Sequence, residues 1–367
     1  MLETMARKKI FFLLFFMGVG GVEKSLLGLL STLGPEKYDI HVGLLRKEGG
    51  FLQMLPRHVT VHECFCGVWN DINLPPLATV KSLLGNWRFC EAAVHLFCYA
   101  IYKITGDRTL FYRYVLRNEP TIDVVFDEAY AYAGPASMID FYICRKIKAS
   151  KRFGWIHFDI EKNGIDEVMT RRFYGGYERI YAVSEEAKRH FDAKFPQFSC
   201  KTQVRYNTVP ADEVRRLADE APTFADDFKG VRILTVGRLS EEKGQDVAVD
   251  ALKILVEKGF DVKWYYVGDG KLRSKCERMA AEYGLTEHAV FLGVRTNPYG
   301  YMRDCDIYVQ PSRHEGYCIT LAEARCFGKP IAATDFAGAH EQLASYPCGT
   351  VTGMSTGELA DGIMKFL

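Results

Sequence analysis

The sequence predicts two doubly wound α/β domains, each a parallel sheet covered by helices, facing one another across a cleft. Three observations lead there. Near-continuous apolar runs end in glycine or polar loops and pass into helical periodicity, the pattern of strands buried on both faces. The same scheme starts afresh at Val231. Finally, 367 residues exceed what a single hydrophobic core usually serves, roughly 250–300 residues.

In the first half, residues 9–17 form the opening strand and enter Gly18-Val19-Gly20-Gly21, after which Val22, Leu26, Leu27, Leu29, Leu30 and Leu33 mark the apolar side of a helix. Further strands are expected at 39–45, 122–126, 153–157 and 179–183. Residues 68–118 instead read as a helical insertion rich in aromatic and basic side chains. The acidic, proline-containing stretch 210–230 reads as a linker, so the domains are 1–209 and 231–367. In the second, strands are expected at 231–237, 262–267, 289–292, 306–310 and 330–334, with helices over 245–258 and 271–283.

Composition narrows the function classes. Hydrophobic residues make up 48% of the chain and charged residues 25%, which excludes disorder. The net charge of +1 gives no overall field for nucleic acid or another polyanion. Eleven scattered cysteines suit reduced thiols in a cytosol, and Cys64 and Cys66 lack a second pair at zinc-site spacing. Arg7-Lys8-Lys9 before the apolar run imitates a signal peptide. The run is too short to span a bilayer, and a glycine loop follows at once, so it reads as a buried strand in a cytoplasmic chain.

Chemistry concentrates after two strand ends. In the segment 311–324 a turn presents Glu315, and a helix begins near Cys318, whose free N–H groups and positive dipole end suit phosphate. Glu323 follows within the first turns, so both carboxylates can flank one ligand as hydroxyl acceptors. A turn residue and a solvated helix face would account for two lone glutamates. Arg238 and Lys243, in the loop after the second domain's first strand, add the charge to neutralise a diphosphate without a metal ion. Gly18, Gly20 and Gly21 let backbone approach a ligand. Asp304-Cys305-Asp306 spells a metal-binding Asp-x-Asp, but it leads straight into a strand away from the expected diphosphate.

With these residues the sequence resembles the retaining glycosyltransferases of GT-B fold with the Glu-x7-Glu motif, the glycosyltransferase family 4 type, in particular enzymes of capsular and other cell-surface polysaccharides. The likeness rests on GVGGVE at 18–23, WIH at 155–157, AVS at 182–184, YN at 206–207, VGRLSEEKG at 236–244, VGDG at 267–270, FLG at 291–293 and Glu315 with Glu323. It implies that Arg238 and Lys243 hold the donor diphosphate, that Glu323 binds the ribose and that Glu315 faces the transferred sugar. The backbone of Tyr317, Cys318, Ile319 and Thr320 would meet sugar and phosphates, Gly20 and Gly21 would close on the diphosphate, and Val294 would touch the base. It also makes His157 the active-site histidine near the donor sugar, although a lone histidine at a strand end is more often structural.

The activity implied is sugar transfer with retention from a nucleotide-sugar, expected to be a UDP-sugar, to a glycan or lipid-linked acceptor, with no cofactor and no metal. Leaving-group stabilisation by Arg238, Lys243 and the helix start is then the main catalytic task. A nucleotide-sugar epimerase or hydrolase, or a non-catalytic nucleotide-sugar-binding module, would use the same features. The insertion's Tyr99, Tyr102, Lys103, Arg108, Tyr112, Arg113, Tyr114 and Arg117, with Arg145, Lys146, Lys148, Lys151 and Arg152, read as solvated faces or as a surface for anionic lipid at the inner face of the plasma membrane. The family's chain normally continues past its last helix to pack back on the first domain. This sequence stops at Leu367 within a helical pattern, for which looser domain closure is expected.

Overall fold

A computed structural model describes residues 7–64, 76–119 and 121–367. They divide between Arg205 and Tyr206 into two units. In the first, seven strands form one parallel sheet: β1 (Lys8–Leu14), β2 (Tyr38–Leu44), β3 (Thr60–Glu63), β4 (Val125–Ala131), β5 (Lys148–Ile156), β6 (Arg179–Ala182) and β7 (Thr202–Val204). Their order is β3-β2-β1-β4-β5-β6-β7. The chain therefore winds outward from β1 in one direction and from β4 in the other, which opens a switch point at the β1/β4 carboxyl ends. Strand β1 is buried from Ile10 to Leu14, as a strand covered on both sides must be. It pairs in register with β2 from Lys8↔Tyr38 to Leu14↔Leu44.

The described part of the insertion is three helices, Pro76–Gly85, Phe89–Thr105 and Thr109–Val115. Residues 68–75 and Cys66 lie outside the described residues. The strand expected at 122–126 is displaced to Val125–Ala131, because Asp127 and Glu128 interrupt its apolar run yet belong to the ladder. Their charges are met locally: Lys8 Nζ lies 2.7 Å from Glu128, and the Lys9 amide donates to Asp127.

In the second unit the parallel sheet comprises β8 (Val231–Val236), β9 (Val262–Val267), β10 (Ala289–Gly293), β11 (Ile307–Gln310), β12 (Ile331–Thr334) and β13 (Gly349–Thr352). The order β10-β9-β8-β11-β12-β13 is the doubly wound pattern, with its switch point between β8 and β11. Side chains alternate across the sheet. Ile233, Trp264, Tyr266, Ile307 and Val309 enter one core with the helix Gln245–Glu257. Leu234, Val236, Tyr265, Tyr308 and Ile331 enter the other. Thr235, polar within the sheet, is satisfied by Trp264 Nε1 at 3.0 Å and by donating to the Val309 carbonyl at 2.7 Å.

The expected linker 210–230 is instead structured. It carries the helix Ala211–Asp219, whose Val214 and Ala218 are buried in the second unit's core beside Tyr299 and Met302. An amphipathic stripe in a short acidic helix explains both its polar composition and its attachment.

Candidate functional site

The second unit places all its predicted residues but Val294 in the loops after β8 and β11 or on the helix that follows β11. Beyond β8 the loop 237–244 turns back at Gly244, whose φ of +66° is left-handed and whose added Cβ would lie 2.0 Å from the Pro311 carbonyl oxygen. Only glycine allows the β8 and β11 loops to meet so closely. The same loop rests on the one after β9: a Cβ at Gly268 would meet the Gly237 oxygen at 1.9 Å, and one at Gly270 the Leu239 oxygen at 2.3 Å. The glycines of the VGDG sequence are therefore a floor for Arg238 and Lys243.

Backbone and side chains tie the β8 and β11 loops together. The amides of Arg313 and His314 donate to the Glu242 carbonyl, and the Arg313 guanidinium reaches the Glu241 carbonyl and Asp246. This closure brings Lys243 Nζ to 2.5 Å from Glu315 Oε1. Burial alone would lower the lysine's pKa, but the Glu315 carboxylate outweighs it and holds the ammonium charged above its ordinary range. Arg238, exposed on the same loop, repels that charge. Two cations thus stand within electrostatic reach of each other at the switch point.

Behind Glu315 runs a line of buried hydrogen bonds that the sequence reading missed. Tyr308 donates to Gln310 Oε1 at 2.7 Å, Gln310 Nε2 to Ser312 Oγ at 2.8 Å, and Ser312 Oγ to Glu315 Oε1 at 2.7 Å. Gln310 and Ser312 are fully buried. A polar pair ending an apolar strand was the available signal. Held by Ser312 and Lys243, the carboxylate is fixed in one orientation.

Glu323 sits in the helix Ile319–Arg325, which begins beyond Cys318 as expected. It is buried, and its Oε1 accepts a 2.5 Å hydrogen bond from the Tyr299 hydroxyl. Next to that carboxylate, burial raises the Tyr299 pKa far above the ordinary phenol value, so the hydroxyl stays a donor. Cys318 itself has φ +60°, uncommon without glycine, and is buried. Gln342 donates to the carbonyls of both Tyr317 and Cys318, which pins the turn before Ile319 and Thr320. Val294 is exposed just past β10. Arg238, Lys243, Glu315, Tyr317, Cys318, Ile319, Thr320, Glu323 and Val294 therefore all belong to strand-end loops or to the helix that follows them.

In the first unit Gly20 precedes the helix Gly21–Leu30 after β1. A Cβ at Gly21 would meet nothing within 4 Å, so the fold itself does not require glycine there. His157 follows β5 and is enclosed by Tyr132, at 4.8 Å between ring centroids, and by Trp155, stacked at 5.8 Å. Burial drives its pKa down to about 3, the Tyr132 carbonyl opposing only in part. The imidazole is neutral at physiological pH, and its Nε2 is buried with no hydrogen-bond partner among the described residues. Tyr132 in turn bonds Ser25 at 2.7 Å, on the helix that starts at Gly21. His157 and the glycine loop thus share one end of the first sheet.

The Asp-x-Asp candidate is occupied by structure at the opposite strand ends. Asp304 pairs with Arg303, and Asp306 accepts from the Arg232 amide at 2.8 Å, where β8 begins. Among the described residues, Asp159, Glu186 and His190 bring ligand atoms within 4.8 Å of one another in the first unit.

Residues 224–367 match the family described as Glycosyl transferases group 1. Most of the second unit therefore matches the group 1 glycosyl transferase family model. Over 166 residues the chain is 27% identical to an uncharacterised glycosyltransferase of Methanocaldococcus jannaschii, covering 44% of this chain and 41% of the relative. It is 30% identical over 169 residues to the N-acetylgalactosamine-N,N'-diacetylbacillosaminyl-diphospho-undecaprenol 4-alpha-N-acetylgalactosaminyltransferase of Campylobacter jejuni, covering 45% and 44%. The matches thus span less than half the length of these curated relatives. Anabaena HepE in complex with UDP-glucose superposes with a TM-score of 0.64 at 19% identity, over 97% of this chain and 89% of that one. A point variant of Staphylococcus aureus TarM in complex with fondaparinux, alpha-GlcNAc-glycerol and UDP gives 0.69 at 12% identity, over 98% and 92%. These superpositions carry the fold: the chain has the GT-B fold.

Proposed function

We propose that the chain is a cytoplasmic, retaining, metal-independent glycosyltransferase that moves a sugar from a UDP-sugar to a glycan or lipid-linked acceptor in cell-surface polysaccharide synthesis, with peripheral contact at the inner face of the plasma membrane. One observation carries the reading: two cations, Arg238 and Lys243, beside the oriented Glu315 carboxylate at the β8/β11 switch point. Relatives named glycosyltransferases, and a superposable protein solved with UDP-glucose, support the choice of donor class.

In this reading Arg238 and Lys243 bind the diphosphate. They act most strongly on the charge that grows as the sugar–phosphate bond breaks, so they lower the barrier more than they tighten ground-state binding. Glu323, oriented by Tyr299, accepts from ribose hydroxyls, Glu315 faces the sugar, and the backbone from Tyr317 to Thr320 donates to sugar and phosphate oxygens. Val294 touches the base. His157, Gly20 and Gly21 of the first unit act on the donor sugar and diphosphate; with Nε2 buried and the ring neutral, His157 serves as a hydrogen-bonding group. The acceptor oxygen bonds to the anomeric carbon on the face the diphosphate leaves, and the departing phosphate takes the acceptor proton.

The test is a nucleotide panel read by thermal shift with and without chelator, followed by mass analysis of donor turnover with and without acceptors. Stabilisation by UDP that survives chelation, lost in Lys243→Gln and Arg238→Gln, is the expected outcome. Strict dependence on a divalent ion would refute the metal-independent mechanism. Donor altered without any acceptor would make the chain an epimerase or hydrolase, and donor bound but never consumed a binding module.

A further inference from the structure

The helix Phe89–Thr105 reverses the usual relation between sequence and solvent. Its inward stripe is Ala92, His95 and Cys98, all buried. Its outward stripe, at the helical spacing 93, 97, 100 and 104, reads Ala93, Phe97, Ala100 and Ile104. Phe97 is 61% exposed and Ile104 84%. The turn joining this helix to Pro76–Gly85 adds Trp87, 82% exposed, which meets Phe89 edge-on at 5.7 Å. Trp87 has φ +59°, an uncommon conformation for a bulky residue. A soluble surface rarely carries so continuous an apolar band without an interaction to cover it.

The charge around the band says what covers it. Residues 76–118 contain Lys81, Arg88, Lys103, Arg108, Arg113 and Arg117 against Glu91 and Asp107, six cations to two anions. Both anions are already met, Glu91 by Arg88 and Arg117, Asp107 by Arg172. The remaining excess is positive and includes Lys103, next to Ile104, and Lys81, exposed on the other helix. Apolar side chains flanked by cations, with a tryptophan at the turn, complement the boundary between acyl chains and anionic headgroups. No helix among the described residues is long and apolar enough to cross a membrane, so this helix would lie along the surface.

We propose that the paired helices Pro76–Gly85 and Phe89–Thr105 dock the chain on an anionic bilayer, with Trp87, Phe97 and Ile104 entering the acyl boundary and Lys81 and Lys103 meeting lipid phosphates. This deepens the peripheral contact of the transferase reading and rests on that reading only for which membrane is met. The face shares Lys103 with the surface read from the sequence and otherwise departs from it: Tyr112 is buried on Ser137, and Arg108 is turned onto Tyr102.

The full chain is floated with phosphatidylcholine vesicles containing phosphatidylglycerol and with phosphatidylcholine alone, without donor or acceptor. Binding to the anionic vesicles is expected, with a blue shift of tryptophan emission that Trp87→Phe removes. The double variant Phe97→Glu, Ile104→Glu should keep the wild-type Tm, since both side chains are exposed, and lose roughly tenfold or more in vesicle affinity. Lys81→Glu with Lys103→Glu should abolish the preference for anionic lipid. Absence of binding, or binding unchanged by the apolar double variant, overturns the proposal. So does a dimer in solution that the same variant dissociates, because a second copy would then cover the face. UDP stabilisation is measured on the same samples, so failure of the wild-type chain to bind vesicles while UDP still stabilises it refutes the docking face and leaves the transferase reading standing.

Discussion

Gly244→Ala separates two costs that the fold normally hides together. A left-handed φ costs a non-glycine residue about 1–2 kcal/mol. Gly259, with φ +86° and nothing within 4 Å of its added Cβ, isolates that cost in Gly259→Ala. Gly244 adds a collision, because its Cβ would stand 2.0 Å from the Pro311 oxygen, whereas real Cβ contacts stay beyond 3.0 Å. Forced overpacking adds about 1–3 kcal/mol, so Gly244→Ala should cost about 2–5 kcal/mol in all. At about 2–4 °C per kcal/mol for a unit of this size, its Tm loss should clearly exceed that of Gly259→Ala. The functional cost should be larger still. Relief needs the two loops to part by the difference between 3.0 and 2.0 Å, which pulls Lys243 from Glu315. A misplacement of about 1 Å can cost about a hundredfold in rate. Differential scanning calorimetry, UDP titration and donor turnover on both variants provide the comparison. Equal Tm losses with nucleotide binding intact in both would refute the claim that close apposition of the loops assembles the site.

Two further outcomes follow from the titrating groups. Glu315→Gln removes the carboxylate that keeps Lys243 charged, so burial should lower the lysine's pKa and UDP affinity should decline at a lower alkaline pH than in the wild type; an unchanged profile would mean that Glu315 does not set the charge. The fold refuses His157 a proton down to about pH 3, whereas the unfolded chain accepts one near 6.5. The stability this group contributes is therefore intact above pH 6.5 and falls as pH drops from there toward 3, so urea denaturation should show a shallower acid slope in His157→Phe, and an identical slope would contradict the buried neutral imidazole.

How much of the fold was legible depended on what each strand had to bury. Strands β1, β8, β9 and β11 lie inside their sheets with covered faces, so their apolar runs announced them. The unanticipated strands β3, β7 and β13 are sheet edges of three or four residues, with the sequences TVHE, TQV and GTVT, in which polar residues interrupt any apolar run. Such strands exist because a neighbour offers a free ladder, as β6 does for Thr202, Gln203 and Val204, a cause no local run records. The helix Ala211–Asp219 escaped notice for a related reason: few of its side chains are apolar, and Val214 and Ala218 suffice to attach it.

The site divides along the same physical line. Arg238, Lys243 and Glu315 stood out as candidates because charged residues just beyond buried strands have little structural reason to be there, and Glu323 because it follows them on the next helix. The groups that position them were hidden by distance along the chain. Nothing local to Tyr299 shows that its hydroxyl meets Glu323, 24 residues on, and nothing near Gln342 shows that it holds the Tyr317–Cys318 turn. Gly244 looks like any loop glycine until Pro311 is placed against it. In the proposed site the motif therefore records the candidate side chains, whereas their orientation is written in partners that only the folded sheet brings near. That division is why Lys243 and Glu315, 72 residues apart, behave as one group, and why substitutions at Gly244 or Ser312, which touch no ligand in the proposed mechanism, should disturb it.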